Sequence, residues 1–223
     1  MKYSEARVHY KSLSAGGKER ADWVSMAIWK NANVPGLYLS KTWEDWKSDL
    51  VPMEMCRDYV GDLDHNFENG IGLHFHGSYG TGKTMLACLV LKEAIRSFDH
   101  RKVPLYTGYF ITFSELVDMF AGGWRDDLLK EKMEKMIRNV DFLVVDDLGK
   151  EFKAQKINLN QAALDSVLRH RVYEQLPIII TTNRSTNEIE TDYGAGTMSL
   201  FREACKIINV TGKDYRQKIR DSR

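Results

Sequence analysis

Gly77-Ser78-Tyr79-Gly80-Thr81-Gly82-Lys83-Thr84 packs three glycines, an ammonium and hydroxyls into eight positions and fits G-x-x-x-x-G-K-[ST] throughout. It follows the apolar run Ile71-Gly72-Leu73-His74-Phe75-His76 and opens a stretch with helical apolar spacing, Met85, Leu86, Leu89 and Val90. Strand, loop and helix in that order are the setting in which such a loop binds phosphate. Glycines let successive backbone N–H groups turn toward one anionic point, and the helix N-terminus adds its positive dipole end. Residues Gly77, Ser78, Tyr79, Gly80, Thr81 and Gly82 thus read as a phosphate cradle. Lys83 is expected to reach the β- and γ-phosphates, and the Thr84 hydroxyl to ligate Mg²⁺.

Two later stretches supply the remaining chemistry. Val140 to Asp147 reads Val-Asp-Phe-Leu-Val-Val-Asp-Asp, an apolar strand ending in two carboxylates. Open α/β sheets bind ligands at that carboxyl edge. Asp146 is expected to hold Mg²⁺, directly or through water, and Asp147 to orient or deprotonate an attacking water. Glu151 stays open as the base, although the strand-end position favours Asp147. A second apolar strand, Leu176 to Asn183, ends in two threonines and an amide. Asn183 there can hydrogen-bond a γ-phosphate or the lytic water without adding charge.

The elements that must position these groups follow from the apolar pattern. Helical spacing runs from Trp43 to Val60 with an interruption at Pro52, and again from the phosphate loop to about Phe98. Val103 to Thr112 reads as a strand, with Ser114 as the N-cap of a helix through Phe120. An amphipathic helix is predicted over 126–139 with Leu128, Leu129, Met133, Met136 and Ile137 on its buried side. Further helices are predicted over about 158–174 and 198–205, with a last strand over 207–210. Strands alternating with helices imply a parallel α/β sheet. Val34-Pro35-Gly36 divides a short N-terminal arm, residues 1–34, from the main domain, 35–223. Within the arm a helix is predicted around Ala21 to Trp29, which either folds back on the domain or docks on a partner.

Composition bounds the rest. At 223 residues, 43% hydrophobic and 28% charged, the chain can bury one ordinary core. A net charge of +1 makes no case for a globally basic nucleic-acid binder, so any such contact must come from local loops. Cys56, Cys88 and Cys205 lack C-x-x-C spacing and are odd in number, which argues against a disulfide framework or zinc site and for a reduced, cytoplasmic setting. Neither a signal peptide nor a long apolar run is evident, so no membrane association is expected.

Taken in order, the phosphate loop, Phe142-Leu143-Val144-Val145-Asp146-Asp147-Leu148-Gly149-Lys150-Glu151, Thr181-Thr182-Asn183 and Thr211-Gly212-Lys213-Asp214-Tyr215-Arg216 resemble the AAA+ ATPases of the DnaC/DnaI helicase-loader and IstB transposition-helper group. The resemblance runs from about Pro35 to Arg216. It implies an AAA+ type P-loop fold, ATP with Mg²⁺, and a homo-oligomer with ATP between subunits. Lys83 and Thr84 match the Walker A pair, Asp146 and Asp147 the Walker B acids, Asn183 the sensor I residue and Arg216 the sensor II arginine. Arg171 matches an arginine that the loaders carry ahead of the sensor strand. The arginine finger is expected at position 200, where this chain has Leu200. Arg202 is two residues on, about half a helical turn away.

The resemblance implies an ATP-dependent loader that assembles on single-stranded DNA and delivers a hexameric replicative helicase, with Trp23 and Ile28 as anchors of the arm. Lys150, Lys153 and Lys156, with Tyr109 and Trp124, are candidates for gripping a single strand. Two alternatives stand beside it. One is an IstB-like transposition helper acting on duplex DNA; the other is a non-hydrolysing adaptor switched by ATP, which the absent arginine at position 200 favours. A small-molecule kinase fits poorly, because no arginine-rich lid is evident.

Overall fold

The computed structural model describes residues 25–96, 105–123, 126–149 and 157–215. Trp23, Trp124, Lys150, Glu151, Lys153, Lys156 and Arg216 lie outside the described residues.

Five parallel strands form the centre: β1 (Gly72–His76), β2 (Gly108–Thr112), β3 (Phe142–Leu148), β4 (Ile178–Thr182) and β5 (Cys205–Asn209), in the spatial order β2-β3-β4-β1-β5. The inner strands are buried on both faces, as a sheet covered by helices requires, and are apolar except for His74 and His76 in β1 and the threonines and carboxylates at the carboxyl ends of β3 and β4. Alternation divides their side chains into two cores. Phe75, Phe142, Val144 and Ile179 face one core. Leu143, Val145, Ile178 and Ile180 face the other.

On the first face lie residues 25–31 (α1), Gly36–Leu39 (α2), Leu50–Gly61 (α3), Leu63–Glu68 (α4) and Lys83–Ile95 (α5). On the second lie Phe113–Gly122 (α6), Asp127–Met133 (α7), Ile157–Tyr173 (α8), Thr186–Tyr193 (α9) and Ala195–Ala204 (α10). Among the described residues, no helix is long and apolar enough to cross a membrane. All three cysteines are buried as free thiols.

Several local expectations are corrected. Pro52 does not interrupt a helix; it sits in the first turn of α3, where its missing N–H has no intrahelical partner to lose. The N-cap of α6 is Thr112 rather than Ser114, because Thr112 and Glu115 form a reciprocal capping box. The 126–139 helix ends as a π turn, Glu134–Arg138, which buries Ile137. Leu128 is 73% exposed, on the side opposite the core. The strand read over Val103 to Thr112 begins at Gly108.

Residues 25–34 pack onto the first core. Trp29 and Val34 are buried, and Ile28 is half-buried beside them. The Phe110 N–H donates to the Ala32 carbonyl at 2.8 Å, and Asn33 Nδ2 donates back to the Phe110 carbonyl at 2.9 Å. Lys92, on α5, is buried against them. Its ammonium donates to the carbonyls of Tyr38, Leu39 and Lys41 and lies 4.3 Å from the Trp29 ring centre. Burial lowers Lys92 to about 8, so it remains charged at neutral pH while satisfying the last carbonyls of α2.

Candidate active site

The loop between β1 and α5 closes as its glycines allow. Gly82 caps α5 with φ of 98°, and a Cβ there would lie 2.5 Å from the Trp46 ring. Gly80 has φ of 71°, and a Cβ there would meet the Asp214 carboxylate at 1.8 Å. Neither position accepts a side chain without displacing a neighbour or straining the backbone. Thr81 is fully buried, its hydroxyl donating to the Ser78 carbonyl at 3.0 Å. Lys83 folds over the same loop, donating to the carbonyls of Gly77 at 2.9 Å and Ser78 at 2.6 Å. Burial, with a smaller contribution from the Lys83 charge, holds the His76 imidazole below its ordinary value, which favours its neutral form beside the loop.

The loop has a rim at each side. Ser48 donates to the Thr211 carbonyl at 3.3 Å, Thr211 donates to Asp49 at 3.3 Å, and the Tyr215 hydroxyl donates to the Lys47 carbonyl. The Tyr215 N–H donates to the Gly80 carbonyl at 3.0 Å. Segments 46–49 and 211–215 therefore meet across the phosphate loop.

A cleft opens beside this loop. It is lined by Leu37, Tyr38, Lys41, Tyr79, Gly80, Gly82, Lys83, Thr84, Met85, Asp147, Asn183 and Tyr215. Lys83, Thr84, Asp147 and Asn183, read from three separate stretches of sequence, thus face one space. Asp146 is 5% exposed, one residue deeper on β3.

The ends of β3 and β4 do not pair evenly. Val145 lies opposite Ile180 and Leu148 opposite Thr182, so Asp146 and Asp147 together oppose the single residue Thr181. This is a β-bulge, and Asp147 carries it in the left-handed region at φ 61°. Sequence reasoning noted Thr181 and Thr182 at the strand end but gave them no role; their hydroxyls hold the bulged end. Thr181 donates to Asp146 Oδ1 at 2.5 Å and accepts from the Asp147 N–H at 3.0 Å. Thr182 donates to the Leu148 carbonyl at 2.8 Å and accepts from the Arg184 N–H at 3.0 Å. Two hydroxyls in a strand otherwise made of isoleucine were the available signal.

The arginines sort differently. Arg171 is 1% exposed, and its guanidinium grips backbone carbonyls ahead of β3 and β4 instead of lining the cleft. Leu200 is buried against the second core. Arg202 is not among the residues lining the cleft; its side chain is 63% exposed and lies 3.7 Å from Glu190.

Comparison with known proteins identifies relatives of this chain. The profile of the family described as IstB-like ATP binding protein matches residues 65–222. The replicative helicase loader DnaI of Bacillus subtilis (strain 168) is 26% identical over 121 residues, 54% of this chain and 36% of that protein. An insertion sequence IS5376 protein of Geobacillus stearothermophilus, named for ATP binding, is 31% identical over 147 residues, 64% of this chain and 54% of its own length. The chain thus spans about a third and about half of these curated relatives. A crystal structure of the DnaC helicase loader superposes with a TM-score of 0.65 at 24% identity, covering 79% of this chain and 100% of that one, a likeness of fold. The parallel sheet with flanking helices is the AAA+ type α/β fold expected from the motifs, and the chain belongs to the IstB-like ATP binding protein family.

Proposed function

We propose that this chain is an ATP-dependent loader of a hexameric replicative DNA helicase, assembling on single-stranded DNA as a homo-oligomer with ATP at its subunit boundaries. The hydrolytic half is carried by the convergence of Lys83, Thr84, Asp147 and Asn183 on one cleft beside the phosphate loop. The loader half is supported by the likeness to DnaI in sequence and to DnaC in fold.

In this proposal the loop from Gly77 to Gly82 directs its N–H groups at the phosphates, and Lys83 exchanges the Gly77 and Ser78 carbonyls for the β- and γ-phosphates. The Thr84 hydroxyl and the Asp146 carboxylate are hard oxygen donors of the kind Mg²⁺ takes beside phosphate oxygens and water. Bound there, Mg²⁺ would neutralise charge on the transferred phosphoryl group. Asp147 orients the attacking water and accepts its proton, and Asn183 fixes the γ-phosphate. Arg216 is assigned the sensor II role toward the same phosphates from the motif it closes, Thr211 to Arg216. Arg202, exposed on α10, is the arginine available to a neighbouring subunit's site. The arm, read as residues 1–34, grips the helicase through Trp23; its residues 25–34 pack onto this domain's own core and leave only the exposed part of Ile28 for a partner. Lys150, Lys153, Lys156 and Trp124 contact the DNA strand; Tyr109 does not join them, because it lies within β2 and packs against the second core.

A second proposal, a transposition helper acting on duplex DNA, is favoured by the 31% identity to the insertion-sequence protein. ATPase rate and oligomer size, measured for wild type and Lys83→Ala alone, with single-stranded DNA and with duplex DNA, separate the two. Stimulation and assembly on single strands, both lost in Lys83→Ala, support the loader. Stimulation by duplex alone supports the transposition helper. ATP-dependent assembly without turnover on either DNA overturns the hydrolytic assignment and leaves a nucleotide-switched adaptor.

A further inference from the structure

The carboxyl end of β3 carries a backbone problem and a charge problem, and one side chain answers both. The extra residue of a β-bulge has no partner in the ladder, so the Asp147 N–H, beside the 1% exposed Thr181, must find an acceptor elsewhere. A left-handed aspartate is strained and persists only when neighbours hold it. The Asp146 carboxylate, 5% exposed, needs donors to remain ionised. Thr181 Oγ1 supplies its one proton to Asp146 at 2.5 Å, within the range of a charge-assisted O–H to carboxylate bond, and accepts the Asp147 N–H at 3.0 Å.

We propose that Thr181 is the positioning residue that seats both Asp146 and Asp147, setting the metal-facing carboxylate and the water-facing carboxylate with a single hydroxyl. The proposal rests on the hydrolytic assignment above. Its chemistry is specific: valine keeps the shape and loses both hydrogen bonds, whereas serine keeps both. Without the hydroxyl, the Asp147 N–H loses its Thr181 acceptor at the bulge, and the left-handed conformation of Asp147, which lines the cleft with Asn183, loses a support. The phosphate loop, 77–84, is untouched by the change.

The test compares wild type with Thr181→Val and Thr181→Ser for kcat, KM for ATP and the Mg²⁺ concentration at half-maximal rate. Thr181→Val is expected to lose about 10- to 100-fold in kcat and to need severalfold more Mg²⁺, with KM for ATP changed less than about threefold, and Thr181→Ser to recover most of the rate. Should the valine variant fail to fold, Thr181→Ala against Thr181→Ser isolates the same hydroxyl, and serine must exceed alanine by about 10-fold or more. A valine variant with wild-type kcat and Mg²⁺ requirement, or serine and alanine variants of equal rate, overturns the proposal. If the wild type binds ATP but does not turn it over, the hydrolytic assignment alone has failed. Thr181 is then judged from the Mg²⁺ dependence of ATP binding, which shifts upward in Thr181→Val if the residue seats Asp146 and otherwise overturns it.

Discussion

Arg171 Nη2 donates to the carbonyl of Pro177 at 2.6 Å, tying the last turn of α8 to the residue that leads into β4. The same guanidinium reaches the carbonyls of Ile137, Arg138, Val140 and Asp141, just ahead of β3. One planar cation therefore aligns the entry points of the two strands whose far ends carry Asp146, Asp147 and Asn183. Burial lowers Arg171 to about 9, which leaves it charged at neutral pH.

Arg171→Met is expected to destabilise the fold by about 3 kcal/mol or more, since it strands backbone carbonyls in a buried pocket. Arg171→Lys does not restore this, because an ammonium cannot present donors across the width of a guanidinium. Urea denaturation midpoints check both, and a variant as stable as wild type would remove the clamp from consideration.

Gly82→Ala is expected to weaken ATP binding by about 10-fold or more, because it combines a left-handed backbone with a Cβ thrust into the Trp46 ring. Titration calorimetry with ATP reads this directly. Pairing it with Trp46→Leu, which removes the collision but not the backbone strain, should recover part of the loss.

His74 gives the fold a pH dependence. It is fully buried in β1, packed 5.0 Å from the Phe201 ring, and burial, aided slightly by His76, lowers it from 6.5 to about 4. The unfolded chain takes up this proton first as pH falls, so the associated stability is complete above 6.5 and is lost progressively down through 4. Between about pH 7.5 and about pH 4.5 the loss is about 2 to 3 kcal/mol. Urea unfolding of wild type and His74→Leu at both pH values isolates it; equal losses in the two proteins would exclude His74 as the source.

Lys92→Met is expected to raise KM for ATP several-fold with little change in kcat. Its ammonium holds the carbonyls of Tyr38, Leu39 and Lys41, and Tyr38 and Lys41 line the cleft, whereas Asp147 and Asn183 lie on separate strands. Steady-state kinetics check the split; a fall in kcat at unchanged KM would assign Lys92 elsewhere.

The chemistry-bearing residues were legible because each group is contiguous in sequence: Gly77 to Thr84, Asp146-Asp147 and Asn183 announce themselves by type and spacing. Their convergence followed from the carboxyl-edge rule for parallel sheets. What holds them was not legible. Arg171, Lys92 and Trp46 find their partners far along the chain, and no local pattern marks an arginine or lysine as buried. Helix α9 was missed although Ser185 and Glu188 form a capping box at its start, visible as S-x-x-E. Leu128 was assigned to the core by period alone, but it sits in the first turn of α7, where it is exposed.

The strap across the phosphate loop joins Lys47 and Tyr215, 168 positions apart. β1, which launches the loop, is flanked by β4 and β5, which among the described strands come latest in the chain. Contacts of such long sequence separation form late and slowly. The phosphate loop therefore emerges early from the ribosome but acquires its walls only after residue 215 has followed. Until β4 and the 211–215 segment are in place the cleft lacks its Asn183 and Tyr215 walls, so nucleotide capture becomes a report that the sheet has closed.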